Sequence, residues 1–330
     1  MEKEKINTAF LGSTLLCAMI FIVTASNVSF AAEDPAKFPS KPISMLINFN
    51  PGSSTDLTSR KLADLASKIL GKPIVPENRP GGAGVIATND VATAAPDGYT
   101  IGGGTSSATV VAPHFQKVPY NTKEDFSWIM IHTEQSQPFC VLSNARWKNF
   151  KEFIEEARKN PDKLKAGTAG VGGAPHIIIE QVFASEKVKI THVPTSGGSE
   201  VVTFLLGGHV DSAMALALNP HVKTKKLRAL AIGSERRMDI VPDIPTFEEL
   251  GYKIEAPLQW VGIFAPKNIP PAILKKLNDA FKKASDDPSF KELLNTLVLT
   301  PMYKDPESAR QLINKDFDTM ARLSKTFKID

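Results

Sequence analysis

The sequence predicts an α/β fold with mainly parallel sheets. An apolar segment, residues 43–49, precedes a turn rich in Gly and Ser at residues 50–56. Apolar residues then recur at helical spacing from Leu62 to Leu70. Composition agrees with a soluble globular protein, because 42% of the residues are hydrophobic and 22% are charged. Strands that alternate with helices in this way are typical of parallel sheets.

The same order of strand, glycine-rich turn and helix occurs three more times. The turns lie at residues 102–107, 167–173 and 193–199. Glycine permits positive φ angles, and the turns leave backbone N–H groups free at the helix N-termini, where anions bind. One such turn is ordinary loop chemistry, whereas four of them favour a binding function.

The N-terminus has the pattern of a secretory signal peptide. Lys3 and Lys5 precede an apolar run that ends near Val23, and Ser29 and Ala31 follow at the small-residue positions of a cleavage site. We expect cleavage after Ala31 and a periplasmic protein. A membrane anchor is the alternative, for which a run of about sixteen residues is short.

Cleavage would remove one of the two cysteines. Cys17 lies in the predicted signal peptide, so Cys140 would have no disulfide partner in an oxidising compartment. We therefore expect Cys140 to be a buried core residue.

The later part of the chain predicts how the lobes are divided. Apolar strands at residues 139–142 and 260–265 bracket a middle α/β set, and helices follow at residues 273–281 and 308–323. Two crossings of the chain between lobes would follow. We expect a signal peptide at 1–31, lobe one at 33–141 and 258–330, and lobe two at 142–257.

Several function classes lack their motifs. The net charge of +4 is compatible with an anionic ligand but small for a nucleic-acid partner. The third glycine of a dinucleotide fingerprint is missing after Gly170 and Gly172, and no Gly-x-Ser-x-Gly elbow is present. The histidines do not have the spacing of a zinc site. We expect no enzyme activity, no cofactor and no metal, and we interpret His176 as a helix-capping or ligand-orienting residue.

Several segments together resemble the substrate-binding proteins of tripartite tricarboxylate transporters, also called Bug receptors. The resemblance covers nearly all of the mature chain. Its main carriers are Phe-Pro-Ser-Lys-Pro-Ile at 38–43, Pro-Gly-Ser-Ser-Thr-Asp at 51–56, Glu-Asn-Arg-Pro-Gly-Gly-Ala-Gly at 77–84, Ala-Pro-Asp-Gly-Tyr-Thr at 95–100 and Trp-Val-Gly-Ile-Phe-Ala-Pro at 260–266.

The resemblance implies a two-lobed periplasmic binding protein of the Venus flytrap, type II-like class. Its lobes would close over a small di-, tri- or aromatic carboxylate held mainly by backbone amides. It would act as a monomer and deliver the ligand to the membrane subunits of a transporter.

The chain departs from the family pattern in the binding loops. Asn50 and Ser53 stand where a Pro or aromatic residue and a second Gly are common, and Thr195 and Ser196 stand where Tyr-Lys is common. These short polar groups predict a roomier, more neutral pocket. The predicted ligand-binding residues are Asn50, Gly52, Ser53, Ser54, Thr55, Asp56, Thr105, Ser106, Thr168, Ala169, Gly170, Gly172, His176, Thr195, Ser196 and Gly197.

Two alternative functions use the same chain. A receptor that reports its ligand to a two-component sensor kinase would need the same two lobes. An exported hydrolase of a carboxylate ester would need a nucleophile and a base in the cleft. The sequence offers serines and His176 for that purpose but no recognisable elbow.

Overall fold

Two β-sheets, each with helices on both faces, organise the molecule. The structure is a computed structural model that describes residues 34–325 except 170, 172 and 196. The predicted signal peptide at 1–31 lies outside the described residues.

The first sheet has six strands in the order β11-β4-β10-β3-β1-β2. Alternate apolar side chains of β1 enter cores on its two faces, since Met45 and Ile47 contact one cluster and Leu46 another. The strands are β1 (Ile43–Ile47), β2 (Ile74–Asn78), β3 (Thr100–Thr105), β4 (Phe126–Glu134), β10 (Trp260–Pro266) and β11 (Thr300–Lys304).

The second sheet has five strands in the order β7-β6-β8-β5-β9. Phe139 of this sheet is fully buried and stacks edge to face on Phe150 and Phe153. The strands are β5 (Gln137–Leu142), β6 (Lys165–Ala169), β7 (Thr191–Thr195), β8 (Ser212–Met214) and β9 (Leu227–Gly233).

Nine α-helices cover the faces of the two sheets in the described part of the chain. One core of the first sheet contains Leu62 and Leu277, and the other contains Val91 and Ile313. The helices are α1 (Ser54–Leu70), α2 (Val85–Ala92), α3 (Phe150–Lys159), α4 (Ala174–Ser185), α5 (Gly198–Leu206), α6 (Asn219–Lys223), α7 (Pro271–Ser285), α8 (Pro288–Leu297) and α9 (Pro306–Leu323).

The sheets are mixed, whereas the sequence predicted mainly parallel ones. β1 is parallel to β2 and β3, and β6 is parallel to β7 and β8, as the βα repeats require. By contrast, β10 is antiparallel to β3 and β4, and β5 is antiparallel to β8 and β9. The reason is that β5 and β10 each enter a sheet from the other lobe. They begin at the sheet edge where the βα strands end, and so run in the opposite direction.

The first crossing between the lobes lies earlier than the sequence predicted. The chain leaves the first sheet at Glu134 and enters the second at Gln137. Residues 137–141, which the sequence placed in lobe one, therefore hydrogen-bond in the second sheet. The return strand β10 lies in the first sheet. Cys140 is fully buried in β5, as expected.

The two lobes also share apolar contacts. Ile177 of α4, in lobe two, belongs to a core cluster of the first sheet, and Leu216 packs against another. Val298, which follows α8 in lobe one, belongs to a core cluster of the second sheet. The side chain of Asn219 donates to the carbonyl oxygens of Ser136 and Val298, at 3.2 and 3.0 Å.

Candidate ligand-binding cleft

A cavity of about 400 Å³ lies between the two lobes. It sits beyond the carboxyl ends of β3, β6 and β8, the sheet edge at which ligands of open α/β folds bind. Lobe one, the crossing segments and lobe two all contribute to it. The lining residues are Ser107, Val111, Gln135, Gln137, Ala169, Gly173, Ala174, Pro175, Gly198, Ala215, Leu216, Ala217 and Gln259.

Two helices of lobe two begin at this cavity. Ala174 is the first residue of α4 and Gly198 the first of α5, and both line the cavity. The residues before them, Gly173 and Gly197, provide no side-chain cap to either helix. Each N-terminus thus presents the positive end of a helix dipole to the cavity. Pro175 removes one backbone N–H from the first turn of α4, and Glu200 adds a carboxylate to the first turn of α5. This arrangement favours an anion.

The loop after β1 is held by its own side chains. Gly52 adopts φ +80°, a conformation that glycine accepts readily, and Ser53 caps α1 by accepting from the Asp56 N–H at 3.2 Å. The Asp56 carboxylate accepts from the Gly52 N–H at 2.9 Å. It also accepts from Asn78 Nδ2 and Arg60 Nε, both at 2.7 Å.

These contacts decide the ionisation of Asp56. Burial opposes it, but the Gly52 and Asn78 hydrogen bonds and Arg60 outweigh burial and hold the pKa of Asp56 below its ordinary value. The ionised carboxylate therefore stabilises the loop and faces its own backbone.

The other predicted polar residues are mostly buried in the loops beside the cavity. Thr195 donates to the carbonyl oxygens of Thr168 and Gly197, at 3.2 and 3.0 Å. Ser106 accepts weakly from the Trp260 N–H at 3.4 Å. Thr105 has a buried hydroxyl without a hydrogen-bond partner among the described residues.

His176 stacks on a second histidine, His192, with ring centroids 4.0 Å apart. His192 Nε2 lies 2.7 Å from the hydroxyl of Thr168, which ties the pair to the end of β6. Burial lowers the pKa of His176, and burial together with the His176 charge lowers that of His192 to about 4. Both rings are therefore neutral at pH 7, and neither lines the cavity.

Of the predicted ligand-binding residues that the structure describes, Ala169 alone lines the cavity. Thr105, Ser106 and Gly197 lie within two residues of lining positions, and Ser54 accepts from the lining residue Gln135 at 3.1 Å. Asn50 and Gly52 are exposed, whereas Thr55 is buried. Gly170, Gly172 and Ser196 lie outside the described residues.

Three glutamines line the cavity and were not predicted from the sequence. Gln135 and Gln137 flank the first crossing, and Gln259 precedes β10 at the second. The Gln135 N–H donates to the Gln259 carbonyl at 2.7 Å, so the two crossing segments are joined at the base of the cleft.

The fold and this cleft define a two-lobed solute-binding protein of the periplasmic binding class. The family described as "Tripartite tricarboxylate transporter family receptor" matches residues 58–328. The chain belongs to this family, as its motifs suggested.

Relatives and solved structures agree with this membership. The chain is 38% identical over 282 residues to the UPF0065 protein in gbd 5'region of Cupriavidus necator, covering 83% of this chain and 84% of that one. It is 30% identical to Protein BugT of Bordetella pertussis, with 92% and 93% covered.

A TctC solute-binding protein from Polaromonas superposes with a TM-score of 0.77 at 26% identity, covering 88% of this chain and 100% of that one. MatC of Rhodopseudomonas palustris, solved with bound malate, gives a TM-score of 0.68 at 28% identity, with 87% and 100% covered. Within the part of the chain that the structure describes, no helix is both long and apolar enough to cross a membrane.

Proposed function

We propose that this protein is a periplasmic receptor that captures a small carboxylate between its lobes and delivers it to the membrane subunits of a tripartite tricarboxylate-type transporter. The observation that carries the proposal is the pair of helix N-termini, of α4 and α5, that open onto the interlobe cavity and whose N-cap residues, Gly173 and Gly197, provide no side-chain cap. The two helix dipoles together supply at most about one positive charge, since Glu200 lies in the first turn of α5, and this favours a single carboxylate.

Family membership and one neighbour support this choice. The matched family consists of transporter receptors, and MatC holds malate, a small carboxylate, in a related fold. We propose binding and release as the whole chemical task, with export by a signal peptide that ends near Ala31. A monomer suffices, because both lobes that enclose the cavity come from one chain.

Blocking the cavity tests the binding role. Ala217 is half-buried and lines the cavity, so Ala217→Trp should fill part of the space with an indole ring. Thermal-shift measurements with a panel of small carboxylates first identify the best ligand of the wild type. The apparent affinity of the variant for that ligand should be at least about tenfold lower. Ala272→Trp, on the exposed face of α7, is the matched control and should bind normally.

Ligand uptake by cells that carry the same variants tests delivery to the transporter. Uptake of the labelled ligand should be lost with Ala217→Trp and retained with Ala272→Trp. A wild-type protein that binds no carboxylate in the panel would refute the proposed function. Normal uptake in cells without the receptor would refute delivery alone.

A further inference from the structure

The side chains that line the interlobe cavity are all uncharged. Seven of the lining residues in the described part of the chain are alanine, valine, leucine or proline, two are glycine, and the polar ones are one serine and three glutamines. Arg60, the cation of the neighbouring loop, is already paired with Asp56 at 2.7 Å. The histidine pair lies outside the lining and is neutral at pH 7.

The positive field in the cavity is therefore that of the two helix N-termini, and both are in lobe two. Together they amount to at most about one unit charge, because Glu200 lies in the first turn of α5, and they can balance no more than one carboxylate. A second ionised carboxylate on the same ligand would lose its hydration on binding and would find no cationic side chain among the lining residues. Removing an unpaired charge from water is strongly unfavourable.

Part of the cavity wall is apolar, and it adjoins the α5 N-terminus, where a Cβ placed on Gly198 would come within 2.9 Å of the Ala217 Cβ. Val111 comes from lobe one, and Leu216 also packs against a lobe-one core cluster. Ala215 and Ala217 continue the apolar surface on the lobe-two side. A ligand body that lies along this wall gains free energy by losing apolar contact with water.

The base of the cavity holds a buried neutral amide. Gln137 retains only 7% of its exposure, lines the cavity and makes no side-chain hydrogen bond with any residue that the structure describes. The Gln137 amide borders the cavity, so a ligand group that hydrogen-bonds with it can take the place of water. The side chain of Gln259, beside it on the second crossing, is likewise unpaired within the described chain and is half-buried.

We propose that this cleft selects monocarboxylates: ligands with one carboxylate, an apolar body and a neutral hydrogen-bonding end. The carboxylate lies at the N-termini of α4 and α5, and Gln137 and Gln259 act as the specificity-determining residues at the neutral end. The inference rests on the proposed function and narrows its ligand class from carboxylates in general.

Calorimetric titration with matched pairs of ligands tests the inference. In each pair one ligand has a second carboxylate at the far end, where the other has an amide, a methyl group or a hydrogen: glutaramate against glutarate, hexanoate against adipate, and phenylacetate against 4-carboxyphenylacetate. The monocarboxylate of each pair should bind the mature protein at least about tenfold more tightly at pH 7.5. Glutaramate should bind more tightly than hexanoate, because its amide end can pair with Gln137.

Two substitutions sharpen the test. Gln259→Lys places a cation at a half-buried position. It should raise the affinity for each dicarboxylate, relative to that for its paired monocarboxylate, by about tenfold. Gln137→Leu should weaken glutaramate and spare hexanoate. If Gln137→Leu does not fold, Gln259→Leu makes the same comparison at a position that is half-buried.

The outcomes separate the two proposals. Tighter binding of the dicarboxylates by the wild type, or an unchanged ratio in Gln259→Lys, would overturn the monocarboxylate inference and leave the carboxylate receptor intact. If neither member of any pair binds, the proposed function fails and the inference fails with it.

Discussion

At the residue scale, Asp56 is a carboxylate in a loop that we expect to lie beside a bound carboxylate. Its side chain is only 4% exposed, and its oxygens accept from the Gly52 N–H, Asn78 and Arg60. The charge is therefore neutralised within the loop and the first turn of α1. A carboxylate that faced the cleft would instead repel an anionic ligand.

Two substitutions at this position should differ in severity. Asp56→Asn retains an oxygen that can accept from the Gly52 N–H, and we expect the free energy of unfolding to fall by about 1–2 kcal/mol. Asp56→Leu removes the acceptor of the Gly52 N–H and one acceptor each of Asn78 and Arg60, and the loss should reach about 3 kcal/mol or more. Ligand affinity should follow the same order, measured by urea denaturation and calorimetry.

Asp64→Asn is the control on the same helix. Asp64 pairs with Lys68 at 2.8 Å, but its side chain is 58% exposed, so stability should change by less than about 0.5 kcal/mol. Equal loss of ligand binding in Asp56→Asn and Asp56→Leu would show that the charge, and not the loop geometry, matters at this position.

Local patterns explain which of these residues could be predicted. Ser53 and Asp56 lie within one turn of the start of α1, so their capping role follows from the sequence around them. Gln137 and Gln259 are far apart in the chain, and they line one cavity only because two strands cross between the lobes at the same place. No local pattern contains that information.

At the element scale, β1 and α9 begin and end close to the predicted positions, because their apolar periodicity is regular. α1 ends at Leu70 as predicted but begins at Ser54, within the segment 50–56 that was predicted as a turn. β4 was not predicted as a strand. It runs through Trp128 and His132 and is buried along nearly its whole length, so it lacks the alternation that identifies a half-buried strand. The mixed strand directions likewise depend on the crossings and not on the βα repeats.

The end of β4 carries a buried carboxylate at the first crossing. Glu134 is 2% exposed, and it accepts from the Glu235 N–H of lobe two at 3.3 Å. Burial raises its pKa to about 7 from an ordinary value of 4.5. The folded chain therefore binds more protons here than the unfolded chain does between these pH values. Stability falls as the pH rises from about 4.5 through 7.

Glu134→Gln should remove this pH dependence while keeping an oxygen for the Glu235 N–H. The difference in unfolding free energy, variant minus wild type, should rise by up to about 3 kcal/mol between pH 4.5 and pH 8. The measurement is urea denaturation of both proteins over that range.

The variant must be compared with the wild type because His132 gives the stability a pH dependence of the opposite sign. Burial lowers the pKa of His132 to about 3, so His132 makes the folded chain less stable as the pH falls below about 6.5. The difference between the two proteins cancels this contribution. Glu77→Gln, at a side chain that is 52% exposed, is the control. Its difference in unfolding free energy from the wild type should not change with pH. A flat difference for Glu134→Gln would contradict the buried, proton-binding state.

At the scale of the whole molecule, the two lobes are joined by more than the crossing strands. Each lobe places an apolar side chain in a core of the other, with Ile177 in a lobe-one cluster and Val298 in a lobe-two cluster. Val298 also holds φ +57°, an unfavourable conformation for a β-branched residue. Its buried side chain and the Asn219 hydrogen bond to its carbonyl compensate for that strain.

Shared cores predict that the lobes unfold together. Two lobes that were connected only by chain crossings would melt as separate units, as multidomain proteins commonly do. Here the loss of one lobe exposes Ile177 or Val298 of the other, so we expect a single calorimetric transition with equal calorimetric and van't Hoff enthalpies. Scanning calorimetry of the mature wild type at pH 7 measures this directly, and two resolved transitions would contradict it.

A pair of isoleucines in α4 isolates the contribution of the shared core. Ile177 is 1% exposed in a lobe-one cluster, and Ile179 is fully buried in the core of its own lobe. Truncation of either to alanine should lower stability by about 2–5 kcal/mol, because each leaves a cavity. Ile179→Ala should still melt in one transition, since contact between the lobes is intact. Ile177→Ala should broaden or split the transition and lower the van't Hoff enthalpy relative to the calorimetric one. Identical melting profiles for the two variants would mean that the crossing strands alone couple the lobes.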